Sequence, residues 1–305
     1  MPHTIAEALD HAARRLAGGT AAGGSARAEA EELLGRLLEL PRAALYLERG
    51  HVLPEAAWEK LVGWIERRRA GEPLQYITGR AAFRSLDLAV RPGVLIPRPE
   101  TEGLVEAVLG VLRVERARWP RPRVLDLGTG SGAIALALAA EWPEAFVTAT
   151  DASDTALAVA RGNAAALGLE GRVRWLKGDW FDAVGGDDLF EVVVSNPPYI
   201  ATTEAGALPR DVAAFEPPEA LYAGESGLEA LREIVDQAPR HLVGDGLLAL
   251  ELAEMRAHEV AGWLEGANDW AKASLLDDLA GRPRVLVARR ARGPAIAPRQ
   301  WPEER

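Results

Sequence analysis

The 305-residue sequence contains no cysteine and only five histidines. The missing cysteines exclude disulfides, thiolate zinc sites and cysteine nucleophiles. Because the histidines lack the H-x-x-x-H or H-E-x-x-H spacing of metal-binding helices, no metal site is predicted. The first residues lack the apolar stretch of a signal peptide, and the run AIALALAA is too short to span a bilayer. We therefore expect a cytoplasmic protein without a membrane partner.

The sequence also has fewer basic residues than acidic ones. The 35 Lys and Arg residues are outnumbered by 45 Asp and Glu residues, which gives a formal net charge of −10. This charge disfavours a surface built to hold phosphate backbones, so no stable nucleic-acid partner is expected. The length suggests about two domains. A hydrophobic content of 48% is ordinary for a globular protein with a sizeable core.

The pattern of the chain divides it into four parts. Residues 1–72 carry apolar residues at helical spacing, broken by Gly and Pro, and this pattern predicts a helical bundle domain. Residues 73–95 contain alternating apolar residues and an RPG turn, which predict a β-hairpin linker. Thr101 is expected to cap the helix that follows. A catalytic domain is predicted over residues 96–290, and the Pro-rich tail 291–305 is expected to be disordered.

Strands and helices alternate from Arg123 onward, which predicts an α/β domain with a mainly parallel sheet covered on both faces. Seven strand-like runs occur, from RVLDL to RPRVLVARR. The last two are too close in sequence for a helical crossover, so we expect them to pair antiparallel. The predicted fold is a Rossmann-like, doubly wound sheet.

The first strand of this sheet runs into the stretch DLGTGSG. A tight turn and a close approach to a ligand are possible at Gly128, Gly130 and Gly132. Asp151 ends the second strand, where a carboxylate accepts the ribose hydroxyls of an adenosine. Taken alone, the glycines fit a dinucleotide or another adenosine ligand. Asp126 repels a pyrophosphate and attracts a cation, which favours S-adenosylmethionine.

The fourth strand, FEVVVSN, runs into the motif SNPPYI at Ser195–Ile200. Asn196 stands at the end of this strand, beside the loop of the first strand in a doubly wound sheet, where it faces the reactive end of the cofactor. DLGTGSG followed by NPPY resembles the motif pair of S-adenosylmethionine-dependent methyltransferases that act on planar nitrogens. The further stretches LIPRPETE, GDWF and FEPPEAL occur in order. Over nearly the whole chain, the sequence is similar to the HemK/PrmC-type release factor glutamine methyltransferase family.

The resemblance implies that S-adenosyl-L-methionine is the cofactor. It implies cofactor contacts from the glycine stretch, the acid after the second strand, the tryptophan of GDWF and the asparagine of the motif: Gly128, Thr129, Gly130, Ser131, Gly132, Asp151, Trp180 and Asn196. Substrate contacts are expected from Asn196, Pro197, Pro198 and Tyr199. The Asn196 side-chain oxygen and the Pro197 carbonyl can each accept one N–H of a substrate amide, while Tyr199 offers a flat face for it. These three residues are the predicted catalytic residues.

Two further stretches lie outside the core motifs. Arg98, Thr101 and Glu102 are expected to shape a lid over the site. After the fifth strand, the chain carries LELAEM where family members often have Glu-x-Gly, so no role is predicted for Glu251.

The resemblance implies N5-methylation of the glutamine in the Gly-Gly-Gln motif of class 1 peptide-chain release factors, which are then the protein partner. The alternatives are glutamine methylation of a large-subunit ribosomal protein and amino-group methylation of DNA or RNA. A non-catalytic adenosine-binding module is a fourth possibility, which the intact NPPY motif disfavours. Because every glutamine offers the same amide, we expect the domain of residues 1–72 to recognise the partner.

Overall fold

The computed structural model describes residues 3–17 and 25–293. The chain forms two compact units. The first runs up to Arg80 and adds Val90–Pro92 and Ala207–Glu216, while the second contains Ala81–Ala89, Gly93–Gly206 and the chain from Pro217 onward. All but the first three residues of the tail 291–305 lie outside the described residues.

The first unit is helical. Thr4 and Glu7 form a capping box that starts its first helix, because each side chain bonds the backbone N–H of the other residue. Its core is aliphatic and includes Leu9, Leu33 and Leu61. The helices are α1 Ile5–Leu16, α2 Ala26–Leu38, α3 Arg42–Leu47, α4 Glu55–Arg69 and α5 Leu74–Thr78.

A short helix from much later in the chain, α9 Arg210–Phe215, also belongs to this unit. The buried guanidinium of Arg68 lies on the same unit, where it binds both carboxylate oxygens of Glu29 at 2.9 and 3.0 Å. Glu29 and the charge of Asp211 in α9 raise the pKa of Arg68. Sequence order gives no sign that residues 207–216 group with the N-terminal helices.

The hairpin predicted between the domains consists of β1 Arg80–Phe83 and β2 Leu86–Ala89. Helix α6, Pro99–Val114, follows it. The prediction that Thr101 caps α6 is wrong, because Arg98 is the N-cap and Pro99 takes the first helical position. Thr101 lies one turn further on, and its hydroxyl is available to other partners.

A seven-stranded sheet forms the second unit, in the order β5-β4-β3-β6-β7-β9-β8. All neighbours are parallel except the two pairs that involve β9. The β8–β9 pair is antiparallel as predicted, and β7–β9 is antiparallel as well. The strands are β3 Arg123–Leu127, β4 Phe146–Asp151, β5 Val173–Lys177, β6 Phe190–Ser195, β7 Leu242–Glu251, β8 Trp270–Asp277 and β9 Pro283–Arg290. The remaining helices are α7 Ala133–Glu141, α8 Asp154–Ala166, α10 Glu229–His241 and α11 Glu254–Leu264.

Both faces of the sheet are buried, which explains why its central strands are runs of apolar residues. In β6, Val192 and Val194 join the cluster that contains α6 and α7. Val193, between them, joins the cluster that contains α10 and α11. None of the helices in the described part of the chain has the length and apolar content that a membrane span requires.

Candidate active site

The site follows from the strand order. β3 pairs with β4 on one side and with β6 on the other, so the chain leaves β3 and β6 in opposite directions. Such a switch point opens a crevice beyond the carboxyl ends of the strands. A cavity of about 580 Å³ lies there. Its walls include eight of the predicted site residues: Gly128, Thr129, Gly130, Ser131, Asp151, Trp180, Asn196 and Pro198.

The glycine stretch forms the turn from β3 into α7. Positive φ angles of 67°, 57° and 83° at Gly128, Gly130 and Gly132 explain the need for glycine at each position. A Cβ atom at Gly130 would meet nothing within 4 Å, so this residue leaves the approach to the cavity open. Gly132 is not among the cavity walls. A Cβ atom there would lie 3.0 to 3.2 Å from three side chains, so its glycine permits the packing of α7.

Asp151 lies between two backbone amides. The N–H of Gly130 donates to Oδ2 and the N–H of Ser153 donates to Oδ1, each at 2.8 Å. Burial raises the pKa of Asp151, and the two amide donors partly oppose this rise. The carboxylate therefore fixes the glycine loop, and each oxygen keeps a lone pair for a ligand.

Asp126 differs from the expectation. It is fully buried at the end of β3, accepts a hydrogen bond from the Thr129 hydroxyl at 2.6 Å, and is not among the cavity walls. Burial raises the pKa of Asp126 to about 7. Because Asp126 is fully buried and does not line the cavity, its carboxyl does not face a ligand there, contrary to the argument from the sequence.

Trp180 lies directly against the glycine turn. A Cβ atom at Gly128 would be 3.3 Å from its ring, and its backbone carbonyl accepts a hydrogen bond from the Thr150 hydroxyl at 3.1 Å. Its φ of 38° is unusual for a bulky side chain. The fold thus holds a large flat ring at the cavity wall beside the glycines.

Asn196 reaches the cavity from the end of β6. Its Nδ2 donates to the Thr101 hydroxyl at 3.0 Å, and that hydroxyl donates to Glu251 Oε2 at 2.6 Å. The Tyr199 hydroxyl lies 3.4 Å from the other oxygen of Glu251. Glu251, for which the sequence predicted no role, is therefore at the centre of the polar contacts behind the motif.

The other predicted residues divide into two groups. Arg98, Thr101 and Pro198 line the cavity, whereas Pro197 and Tyr199 are not among its walls. Burial raises the pKa of Tyr199, so its hydroxyl stays a donor. Glu102 is also absent from the cavity walls, and it accepts a hydrogen bond from the backbone N–H of Arg84 in the hairpin instead.

Asn163 is a residue that the sequence analysis missed. It is buried in α8, where its amide binds both backbone groups of Ala89 and donates to the carbonyl of Ser131 at 2.9 Å. It thereby joins β2 to the glycine loop. No local pattern marks it, because a single Asn in an Ala-rich helix is typical of a solvent-exposed position.

Comparison with known proteins gives matches to both parts of the chain. Residues 7–79 match the family described as PrmC N-terminal domain, and residues 107–214 match the methyltransferase small domain. A release factor glutamine methyltransferase from Moorella thermoacetica is 43% identical over 94% of this chain and 99% of its own length. One from Pseudomonas aeruginosa is 44% identical over 86% of this chain and 92% of its own length.

A solved structure also resembles the chain. The catalytic domain of hMettl16, in complex with a MAT2A 3′UTR hairpin, has a TM-score of 0.55 at 16% identity and covers 82% of this chain and 87% of that one. At this identity, the likeness shows the fold alone. Together with the methyltransferase small domain, it confirms the predicted Rossmann-like methyltransferase sheet.

Proposed function

Because the chain belongs to the release factor glutamine methyltransferase family, we propose that it transfers a methyl group from S-adenosylmethionine to the side-chain nitrogen N5 of a release-factor glutamine. The acceptor is the glutamine of the Gly-Gly-Gln motif in class 1 peptide-chain release factors. The observation that carries this proposal is the meeting of the glycine loop, Asp151 and Asn196 at one cavity.

The cavity suits S-adenosylmethionine in size and lining. Its volume of about 580 Å³ lies within the range of small-molecule sites. Asp151 would accept the ribose hydroxyls, and the ring of Trp180 would lie against the adenine. The glycine loop and its neighbours Thr129 and Ser131 surround the remainder of the ligand. When bound, S-adenosylmethionine supplies an electrophilic methyl group on its sulfonium.

Asn196 and Pro197 position the acceptor. The lone pair of an amide nitrogen is delocalised into its carbonyl, so alignment with the methyl group must supply much of the rate, and alignment can contribute about 7–11 kcal/mol. Asn196 Oδ1 and the Pro197 carbonyl each accept one N–H of the glutamine, and both favour positive charge on the nitrogen. Pro198 fixes the backbone between them and Tyr199. Transfer would break the S–CH3 bond, form the N–CH3 bond and leave S-adenosylhomocysteine. The nitrogen becomes acidic only as the methyl group arrives, so its proton can pass to water and no dedicated base is required.

Tyr199 supports this arrangement from the side. Its hydroxyl is directed to Glu251, which holds the tip of the side chain in place. A planar glutamine amide stacks on such a face, and the ring excludes water from the reacting nitrogen.

The helical unit selects the protein substrate. The sheet unit contacts only the cofactor and the side-chain amide of the acceptor, and this amide is the same in every glutamine. The helical unit has its own aliphatic core and exposes large apolar side chains, among them Tyr46, Leu47 and Val52. Such side chains suit a protein partner better than a phosphate backbone.

A competition assay tests the function. Labelled S-adenosylmethionine is supplied with equal amounts of an intact class 1 release factor, a large-subunit ribosomal protein, DNA and RNA. We expect label in the release factor alone, at the Gly-Gly-Gln glutamine as located by peptide mass spectrometry. A release factor whose Gln is replaced by Asn is the matched control. Label in the ribosomal protein or in nucleic acid would contradict the proposal.

A further inference from the structure

Four polar side chains behind the NPPY motif form a continuous hydrogen-bonded chain. They come from the first turn of α6, the loop after β6 and the end of β7. Thr101 and Glu251 are separated by 150 positions, yet their side chains are 2.6 Å apart. Thr101 and Glu251 are only 4% and 1% exposed, so water does not supply alternative partners. Asn196 and Tyr199 are at the two ends of this chain.

The direction of each hydrogen bond follows from the number of available protons. A carboxylate only accepts, and a threonine hydroxyl has one proton to donate. Glu251 takes that proton, so Thr101 can only accept from Asn196. Asn196 must therefore turn its NH2 group toward Thr101. The carboxamide oxygen, which is attached to the same carbon, then points away from Thr101.

We infer that Thr101 and Glu251 are positioning residues that fix the orientation of the Asn196 carboxamide, so that its oxygen is the atom available to the substrate amide. This inference rests on the proposed function. In the reversed orientation, Asn196 would present N–H donors to the N–H groups of the glutamine, and its oxygen would face the lone pairs of Thr101. Both contacts are repulsive. The pair thus excludes the unproductive orientation before substrate arrives.

The charged form of Glu251 is required for this polarity. Burial raises the pKa of Glu251, whereas the Thr101 hydroxyl and the charge of Arg284 act in the opposite direction. The Tyr199 hydroxyl adds a second donor. In this charged form, the carboxylate accepts from both hydroxyls.

Steady-state kinetics on the full-length enzyme and a release factor tests the pair. Thr101→Val keeps the shape but removes the hydroxyl, and we expect kcat to fall about 100-fold, the effect of misplacing a reacting group. The dissociation constant of S-adenosylmethionine serves as the control and should change little. The melting temperature should fall, because Thr101→Val leaves buried polar groups of Glu251 and Asn196 without this partner. Thr101→Ser restores the hydroxyl and should recover most of the lost rate. A wild-type kcat in Thr101→Val would overturn the inference.

A double-mutant cycle separates positioning from general stability. If Glu251 acts on Asn196 through Thr101, then Glu251→Gln slows the wild-type enzyme but adds no further loss to Thr101→Val. Tyr199→Phe measures the other contact of Glu251 separately. If the reductions in kcat caused by Thr101→Val and Glu251→Gln multiply in the double variant, the two residues act independently and the inference is wrong.

A spectroscopic measurement needs no methyl acceptor. The side-chain NH2 signals of Asn196 in the ¹⁵N-labelled enzyme are assigned by their loss in Asn196→Ala. We expect them to shift in Thr101→Val and to stay nearly unchanged in Tyr199→Phe. If the signals shift but the enzyme does not methylate release factor, the proposed function is contradicted and the positioning role of Thr101 and Glu251 is supported. If the signals stay unchanged and the enzyme does methylate release factor, only the positioning role of Thr101 and Glu251 is contradicted.

Discussion

The backbone N–H of Gly130 donates to Oδ2 of Asp151 at 2.8 Å, across the carboxyl ends of two neighbouring strands. The other oxygen of the carboxylate accepts from the N–H of Ser153 at the same distance. Asp151 is thus a structural partner of the glycine loop as well as the proposed ligand of the ribose. Its substitution should affect both roles.

We expect Asp151→Asn to weaken binding of S-adenosylmethionine and S-adenosylhomocysteine alike. A carboxamide has a single acceptor oxygen, so one of the two backbone amides faces an NH2 group, and an unpaired buried donor costs about 1–3 kcal/mol. Calorimetry measures both affinities. Asp154→Asn is the matched control, because Asp154 is exposed and pairs with the exposed Lys177. Unchanged affinity for both ligands would show that Asp151 does not bind the cofactor.

Asn196→Ala should reduce turnover while cofactor binding persists. The loss of one preorganised partner of the reacting group reduces the rate by about 10²–10³-fold. Methyl incorporation gives kcat, and calorimetry gives the cofactor affinity. Asn268→Ala, at an exposed position, should behave as wild type. Wild-type turnover in Asn196→Ala would refute the proposed contact with the substrate amide.

Asp126→Asn should change how stability depends on pH. The pKa of Asp126 is raised to about 7, whereas an unfolded chain releases this proton near pH ~3.9. Between these values the folded state holds a proton that the unfolded state has lost, so the contribution of Asp126 to the free energy of unfolding falls as pH rises. The variant cannot titrate. Its stability relative to wild type should therefore rise over this window, by up to about 4 kcal/mol, and stay constant above it.

Urea unfolding at several pH values measures this difference. The exposed Asp154→Asn substitution should give a difference from wild type that does not vary with pH in the same way. A constant offset between wild type and Asp126→Asn would mean that Asp126 is ionised throughout the range.

Gly227→Ala should disturb the segment that carries Tyr199. The φ of Gly227 is 75°, and an added Cβ would lie 2.7 Å from the carbonyl oxygen of Tyr199. Gly266 has a similar φ of 70° but open space around it, so Gly266→Ala should cost only the left-handed strain of about 1–2 kcal/mol. We expect Gly227→Ala to have a lower melting temperature than Gly266→Ala, and a lower kcat. Equal losses would show that the backbone near Tyr199 moves without cost.

A chain that begins at Ala81 separates amide chemistry from partner recognition. We expect it to bind S-adenosylmethionine and to methylate a short Gly-Gly-Gln peptide at nearly the full-length rate. It should lose most of its kcat/KM toward an intact release factor, because binding energy from remote contacts is used to orient the reacting centre. Methyl incorporation into both substrates by both chains is the measurement. Equal losses on peptide and protein would mean that the helical unit only stabilises the fold.

The sequence by itself determined the elements and the order in which they meet. Runs of β-branched residues such as FEVVVS form strands because both faces of the sheet are buried. The glycines at 128, 130 and 132, which predicted a tight turn, all have positive φ. Alternation of strand and helix then dictates a parallel sheet, in which strand ends meet at one edge. Position on a strand end was therefore enough to bring Gly130, Asp151 and Asn196 to one cavity.

Only the tertiary structure decided which side chains support these residues. Thr101 resembles a helix cap in sequence, yet the turn at Arg98 and Pro99 frees its hydroxyl for Glu251. Glu251 showed no motif, and its role depends on the pairing of β6 with β7. The ionisation of Asp126 depends on complete burial, which neighbours in sequence do not reveal. Hydrogen-bond partners and desolvation arise from residues far apart in the chain, so local patterns cannot specify them.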